Sequence, residues 1–284
     1  MNQQTWDSSG CVDDIDAFPA AQRMPNVQTT NPNPMPMDDV QAIKQQYYAG
    51  NARDFDGMHI APGDEHYNSL THISNFIRTL GIKSILDIGA GTGRGLLYMK
   101  EHHPDIRAHG VEPSPDMRNR AIEKGVSPDA ITQGRGEKLP FPDGNFDATC
   151  EFGVVHHIQR PNDAVREMMR VSNKAVFLSD GNRFGHGSIV SRWTKLLLYK
   201  AGLWPLTNWV KTGGKGYAVG PHDGLVFSYS VYDSRPVLAE WADRIYLFPV
   251  GPEKPTKSIF HPLMTSSLVL LAAVKKGQDL VAPV

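Results

Sequence analysis

The stretch Ser84-Ile85-Leu86-Asp87-Ile88-Gly89-Ala90-Gly91-Thr92-Gly93-Arg94-Gly95 constrains this chain of 284 residues more than any other. Its first five residues are short, apolar and β-branched, which suits a buried strand. Gly89, Gly91 and Gly93 follow, and such a run lets the backbone turn sharply and approach a ligand closely. Leu96, Leu97 and Met99 then read as the apolar side of a helix that can pack on a sheet. The same order recurs downstream. The pattern predicts strands at 84–89, 108–113, 130–134, 146–152 and 175–180, with helices at 93–103, 115–124 and 161–172. Leu70, Ile73, Phe76, Ile77 and Leu80 mark one face of an earlier helix at 66–80. Such alternation predicts the α/β class with a parallel sheet.

The acid before the glycines narrows the ligand. Gly89-x-Gly91 fits the opening of a dinucleotide fingerprint, but Arg94 occupies the place of its third glycine. Asp87 would also repel a pyrophosphate held at the helix N-terminus. S-adenosylmethionine has no phosphate, and its ammonium and cationic sulfur make a nearby carboxylate useful. Glu112 ends the second strand at about the spacing of a ribose-binding acid, roughly 20 residues after the glycines. Ser114 reads as a helix N-cap and Pro115 as the first helical residue. Taken singly, these features have plainer meanings: a generic α/β turn, and a surface acid before a helix cap.

Taken together, these residues resemble the class I S-adenosylmethionine-dependent methyltransferases, especially the small-molecule branch that includes the ubiquinone and menaquinone C-methyltransferases. Leu86-Asp87-Ile88-Gly89-Ala90-Gly91-Thr92-Gly93 is similar to the first family motif and Gly110-Val111-Glu112-Pro113-Ser114 to the acidic second. Gly134-Arg135-Gly136-Glu137-Lys138-Leu139-Pro140-Phe141 resembles the third, and Phe146-Asp147 with Gly153-Val154-Val155-His156-His157-Ile158 resembles the fourth. The matches run in order through residues 40–180. The resemblance implies a Rossmann-like doubly wound sheet, mostly parallel, with an antiparallel last strand. Strand-like runs at 244–250 and 267–275 fit that closing role. Residues 38–284 then form the methyltransferase domain.

The resemblance also implies a cofactor, S-adenosyl-L-methionine, and transfer of its methyl group to oxygen, nitrogen or carbon of a small organic acceptor. Asp87, Gly89, Ala90, Gly91 and Gly93 would hold the methionine end and Glu112 the ribose. Pro113 and Met117 would lie near the adenine, which Arg135, Gly136 and Glu137 would border. Arg135 stands where the family often has an acid that meets the adenine amino group. Arginine has only donors, so the Gly136 backbone and apolar packing would serve there instead. Phe152 and Gly153 would lie beneath the sulfonium. Tyr48-x-x-x-Ala52-x-x-Phe55-Asp56 resembles the segment that covers the cofactor pocket, and it reads equally well as a plain helix packing its aromatics.

Methyl transfer asks the protein chiefly to position the acceptor, and a base helps only if the acceptor must lose a proton. His156 and His157 follow the fourth strand, and either can take a proton, touch the cofactor or simply shape the loop. They lack a third ligand at metal spacing, so no metal is expected. Asp180 and His186, at the end of the fifth strand, are further base candidates. Asn182 and Arg183 can orient a substrate or wire the turn. Residues 181–232 interrupt the alternation and read as an insertion that roofs the substrate site, with Tyr217, His222 and Tyr229 as lining candidates. Trp193 with Arg192, Lys195 and Lys200 fits a peripheral membrane surface or a helix packed on the core with solvated lysines. The second, commoner arrangement is expected.

Composition sets outer bounds. A net charge of −1 gives no general reason to expect a nucleic-acid partner. The longest apolar run, 268–274, is too short to span a bilayer, so no integral membrane segment is expected. The N-terminus lacks a signal-peptide pattern, and residues 1–37 read as a disordered tail. Only Cys11 and Cys150 occur, which argues against a disulfide framework and fits a cytoplasmic protein. A small-molecule substrate is the expected partner, and assembly into a homo-oligomer is compatible with this composition. Two rivals use the same features. A nicotinamide-dependent oxidoreductase is opposed by Asp87 and the missing third glycine. A non-catalytic module that binds S-adenosylmethionine is opposed by the polar groups after the fourth and fifth strands.

Overall fold

Alternation along the first strand decides where the acid of the glycine turn points. The computed structural model describes residues 35–59, 64–220, 223–251 and 266–279. Strand β1 (Ser84–Ile88) sends Leu86 and Ile88 into one apolar layer and Ile85 into the other. Asp87 falls on the Ile85 side by the same two-residue period. Strands β2 (Arg107–Val111) and β4 (Phe146–Phe152) flank β1 in parallel. The sheet extends through β3 (Ile131–Thr132) at one edge and β5 (Ser172–Gly181) toward the other. Strands β8 (Ala242–Pro249) and β9 (Leu268–Lys275) complete it in the order β3-β2-β1-β4-β5-β9-β8, with β9 antiparallel to both neighbours.

Helices cover both faces because both faces are apolar. Helices α3 (Glu65–Thr79) and α4 (Arg94–His102) pack Leu70, Ile73, Tyr98 and Met99 against Ile85, Cys150 and Phe177. On the other face, α6 (Pro161–Val171) supplies Val165, Met168 and Val171, while α9 (Val231–Trp241) adds Val231 and Leu238. Each such fully buried aliphatic chain contributes about 1.5–3 kcal/mol. Helix α5 (Pro115–Glu123) packs Ala121 beside Leu96 and Ile131. Its start is as the sequence predicts: the Ser114 hydroxyl accepts from the Met117 amide at 3.3 Å, and Pro115 follows. The third strand is shorter than expected: Pro128–Ala130 coil into a tight turn just before it, and Gln133 and Gly134 lie beyond its end.

Helices α1 (Met37–Asn51) and α2 (Phe55–His59) lie near the strands' carboxyl ends. Helix α1 begins at Met37, and residues 1–34 of the expected tail lie outside those described. Segment 181–232 contains α7 (Ile189–Lys200), α8 (Trp204–Lys211) and a hairpin of β6 (Tyr217–Gly220) and β7 (Gly224–Phe227). Its root is a buried ion pair. Arg183 meets Asp233 with two hydrogen bonds of 3.0 and 2.7 Å, and its guanidinium lies 4.4 Å from the Trp204 ring centroid. Asp233 also closes the capping box of α9 with Ser230.

Asp233→Ala strands the Arg183 charge in the interior and removes a helix cap. Urea unfolding should show a loss of about 3–5 kcal/mol, the usual cost of breaking one side of a buried pair. A loss of less than ~1 kcal/mol would mean the pair does not hold the segment's root.

Candidate active site

A cavity of about 230 Å³ opens at the carboxyl ends of β1, β2 and β4. It sits where the strand order reverses between β1 and β4, the switch point at which open α/β sheets bind ligands. Asp87, Gly89, Ala90 and Gly91 line it from the first crossover, and Glu112, Pro113 and Met117 from the second. Phe152, Gly153, Val154, His156 and His157 enter after β4. Lys44, Tyr47 and Tyr48 of α1, Phe55 of α2 and Asp223 before β7 form the opposite wall. Asp56 ties α2 down through Thr92 and through Lys124, 2.6 Å away.

The two acids are treated differently. Glu112 is satisfied by backbone: one carboxylate oxygen accepts from the Gly91 amide at 3.0 Å and the other from the Ser114 amide at 2.8 Å. Burial still raises its pKa, against the pull of those bonds. Asp87 is only 4% exposed, and its Oδ1 has no hydrogen-bond partner among the described residues. Its Oδ2 lies against the first turn of α4, where the close approach leaves no room for any side chain at Gly95. Burial pushes the Asp87 pKa up to about 8. The Arg94 guanidinium draws it down and Glu112 adds to the rise. Arg94, which replaces the third glycine of a dinucleotide turn, pairs at 3.0 Å with Asp64, the N-cap of α3.

The adjacent histidines are driven apart in basicity. Burial opposes charge on His156, but Asp180 lies 2.8 Å from its Nδ1, accepts from its backbone amide and raises its pKa overall. Burial and the neighbouring His156 push His157 well below the ordinary histidine value. The His157 Nδ1–H donates to the Leu225 carbonyl at 2.8 Å, because a carbonyl can only accept. In a neutral ring that leaves Nε2 as the acceptor. Glu151 accepts from the Val154 amide at 2.8 Å beneath this loop, and burial with Asp180 nearby holds its carboxyl well above the usual range.

Several sequence candidates lie elsewhere. Asp180 is buried behind His156 and acts on the site through it. Asn182 is fully buried and wires its own turn, accepting from the Phe184 amide and donating to the Ser266 carbonyl. Arg183 is spent on Asp233. Gly185 lies so close to the Ser266 backbone that no side chain fits there, and His186 next to it is exposed and does not line the cavity. Tyr217 meets Phe227 across the hairpin, and the buried Tyr229 hydroxyl bonds Ser234 at 2.9 Å. Gly93 faces Ala121 and Val126, and Gly136 faces Ile88 and Ile158. Arg135 and Glu137 pair with each other at 2.9 Å instead of bordering the cavity. His222 lies outside the described residues. Sequence reasoning missed Lys44 and His66. Neither belongs to a motif; each reaches the cavity from a helix outside the alternating core.

Residues 86–178 match the family model described as a methyltransferase domain. Residues 86–178 of this chain carry a methyltransferase domain. Over 92 residues it is 39% identical to an uncharacterized methyltransferase of Bacillus subtilis, covering 31% of this chain and 35% of that protein. Over 93 residues it is 33% identical to the demethylmenaquinone methyltransferase of Deinococcus radiodurans, covering 31% and 38%. The aligned stretch thus spans about a third of the length of these curated relatives. A solved S-adenosylmethionine-dependent methyltransferase of Thermotoga maritima shares the fold, with a TM-score of 0.51 and 17% identity over 83% of this chain and 99% of that one. The family match to the methyltransferase domain runs from β1 into β5. Helices α1 and α2 and the segment after β5 lie outside it.

The raised pKa of Asp87 has a consequence for the ligand-free protein. Its carboxyl stays protonated in the fold but ionises in the unfolded chain between pH 3.8 and about 8. The unfolded state then binds fewer protons, so stability present below the lower value drains away as pH rises through the upper one. Asp87→Asn should flatten that decline in urea midpoints measured across the interval and leave the variant the more stable of the two at its upper end. Parallel curves for the two proteins would contradict the burial of an ionisable group there.

Proposed function

We propose that this protein transfers the methyl group of S-adenosylmethionine to a small organic acceptor, aromatic or apolar in part, in the cytoplasm. The carrying observation is the buried Asp87 carboxylate with an unpaired oxygen at the switch-point cavity. An ammonium group fits it, since a cation supplies the missing partner and favours the ionised carboxylate. A diphosphate does not, because two buried acids border the cavity. Asp87 with the Gly89 and Gly91 backbone would take the methionine end, and Glu112 the ribose hydroxyls. Pro113, Met117 and Tyr48 supply apolar surface beside them, and Phe152 and Gly153 the floor near the sulfonium. The cofactor brings a methyl group already activated by positive sulfur.

The protein's own contribution is positioning and proton control. His157 is the histidine available to accept a proton, though burial weakens its basicity: its Nδ1 is engaged with Leu225, the ring is kept neutral, and Nε2 remains to accept. His156, drawn toward the charged form by Asp180, suits donation to an anionic acceptor oxygen. Tyr47, Phe55 and Lys44 give the acceptor wall an aromatic surface with one cation. The cytoplasmic assignment is supported by the cysteine content: two in the chain, with Cys150 a free, buried thiol.

Calorimetry tests the cofactor reading. The wild type should bind S-adenosylmethionine and not a nicotinamide dinucleotide, and Asp87→Ala should weaken S-adenosylmethionine at least tenfold, about 1.4 kcal/mol. Preference for the dinucleotide would overturn the reading. With an acceptor in hand, His157→Gln should lower kcat by about 10²–10⁴ while leaving cofactor affinity nearly unchanged. Equal effects on kcat and affinity would make His157 a wall residue.

A further inference from the structure

Helices α7 and α8 turn their apolar residues outward. Val190, Leu197, Leu206 and Val210 are 74, 67, 60 and 65% exposed, and Trp193 and Trp209 are each 48% exposed. The exposed positions have helical spacing: 189, 190, 193 and 197 on α7, then 206, 209 and 210 on α8. The pair packs on the protein through Leu196, Tyr199 and Trp204, which meet Phe184 and Tyr232. The sequence expectation of a core-packed helix with solvated lysines is therefore half right. The helix packs, but Trp193 and its apolar neighbours face solvent rather than core.

Charge says what covers this surface. Between Asp180 and Asp223 the chain has no acidic residue, yet it carries Arg183, Arg192, Lys195, Lys200, Lys211 and Lys215. The whole chain has a net charge of −1, so positive charge is concentrated here. Lys195 feels Lys211, Arg192 and Arg183, all of the same sign, so cations of the two helices lie near one another. Two copies of this face meeting symmetrically would oppose like charges. An anionic bilayer offers apolar depth for the side chains and negative headgroups for the lysines, and tryptophan favours that interface. Among the described residues no helix is long and apolar enough to cross a membrane, so the contact is a surface one.

We propose that α7 and α8 dock this protein on the surface of anionic lipid membranes, with the exposed tryptophans and aliphatic residues entering the headgroup boundary and Lys200 and Lys211 facing the lipid phosphates. This goes beyond methyl transfer and does not rest on it.

Co-sedimentation of the full chain tests it, using vesicles of phosphatidylcholine alone and of phosphatidylcholine with phosphatidylglycerol. Binding to the anionic vesicles should be at least about tenfold tighter and should weaken with added salt. Replacing Leu206, Trp209 and Val210 by Ser should reduce it at least about tenfold, with an unchanged circular dichroism melt as the folding control. Lys200→Glu with Lys211→Glu leaves the apolar stripes intact and should abolish the lipid preference. Equal binding to both vesicle types would overturn the proposal. So would a dimer in analytical ultracentrifugation that the Ser variant disrupts while the wild type ignores vesicles.

Discussion

A carboxylate held at the end of a buried strand with one oxygen unpaired is costly, and the centre of this structure is arranged around that cost. The two-residue period of β1 points Asp87 at the first turn of α4, and the missing side chain at Gly95 admits it. Arg94 stands near enough to moderate the charge but is itself held by Asp64. Buried polar groups are ordinarily satisfied within the protein, and Glu112, one strand away, is. The two acids thus contrast: one is locked into the backbone, and the other keeps an oxygen without a hydrogen-bond partner among the described residues.

The molecule divides along the line of the family match. Within residues 86–178, the strand ends and crossovers that build the cofactor side follow from hydrophobic period, turn glycines and caps. Outside it, α1, α2 and the hairpin segment wall the cavity by tertiary contacts. Asp56 reaches Thr92 and Lys124, and the Leu225 carbonyl fixes His157. This wall of the cavity, with Lys44, Tyr47, Tyr48 and Phe55, is thus assembled from parts outside the matched region.

Legibility in the sequence follows the same line. The alternating strands and helices and the places of the acids at 87 and 112 were readable from local spacing, whereas the antiparallel β9 was expected from the family resemblance alone. In the third motif, Arg135 and Glu137 pair with each other, a contact two residues apart that a motif match does not reveal. The turn after β5 is wired over a longer range. Its polar residues look available in sequence, but Ser266 and Asp233 come from 84 and 50 residues away to consume Asn182 and Arg183. Lys44 and His66 were invisible because only the tertiary packing of their helices brings them to the cavity. The outward face of α7 turned on which side of an amphipathic helix meets the core, and sequence period alone does not decide that.

The central claim is that Asp87 waits protonated for a cation. Calorimetry of S-adenosylmethionine binding at neutral pH, in buffers of different ionisation enthalpy, measures it directly. Asp87, its pKa pushed up to about 8 by burial, should lose its proton as the ligand's ammonium arrives. The account predicts net proton release on binding in the wild type and none from the Asp87→Asn protein. Binding without proton release, or the same release from both proteins, would contradict it.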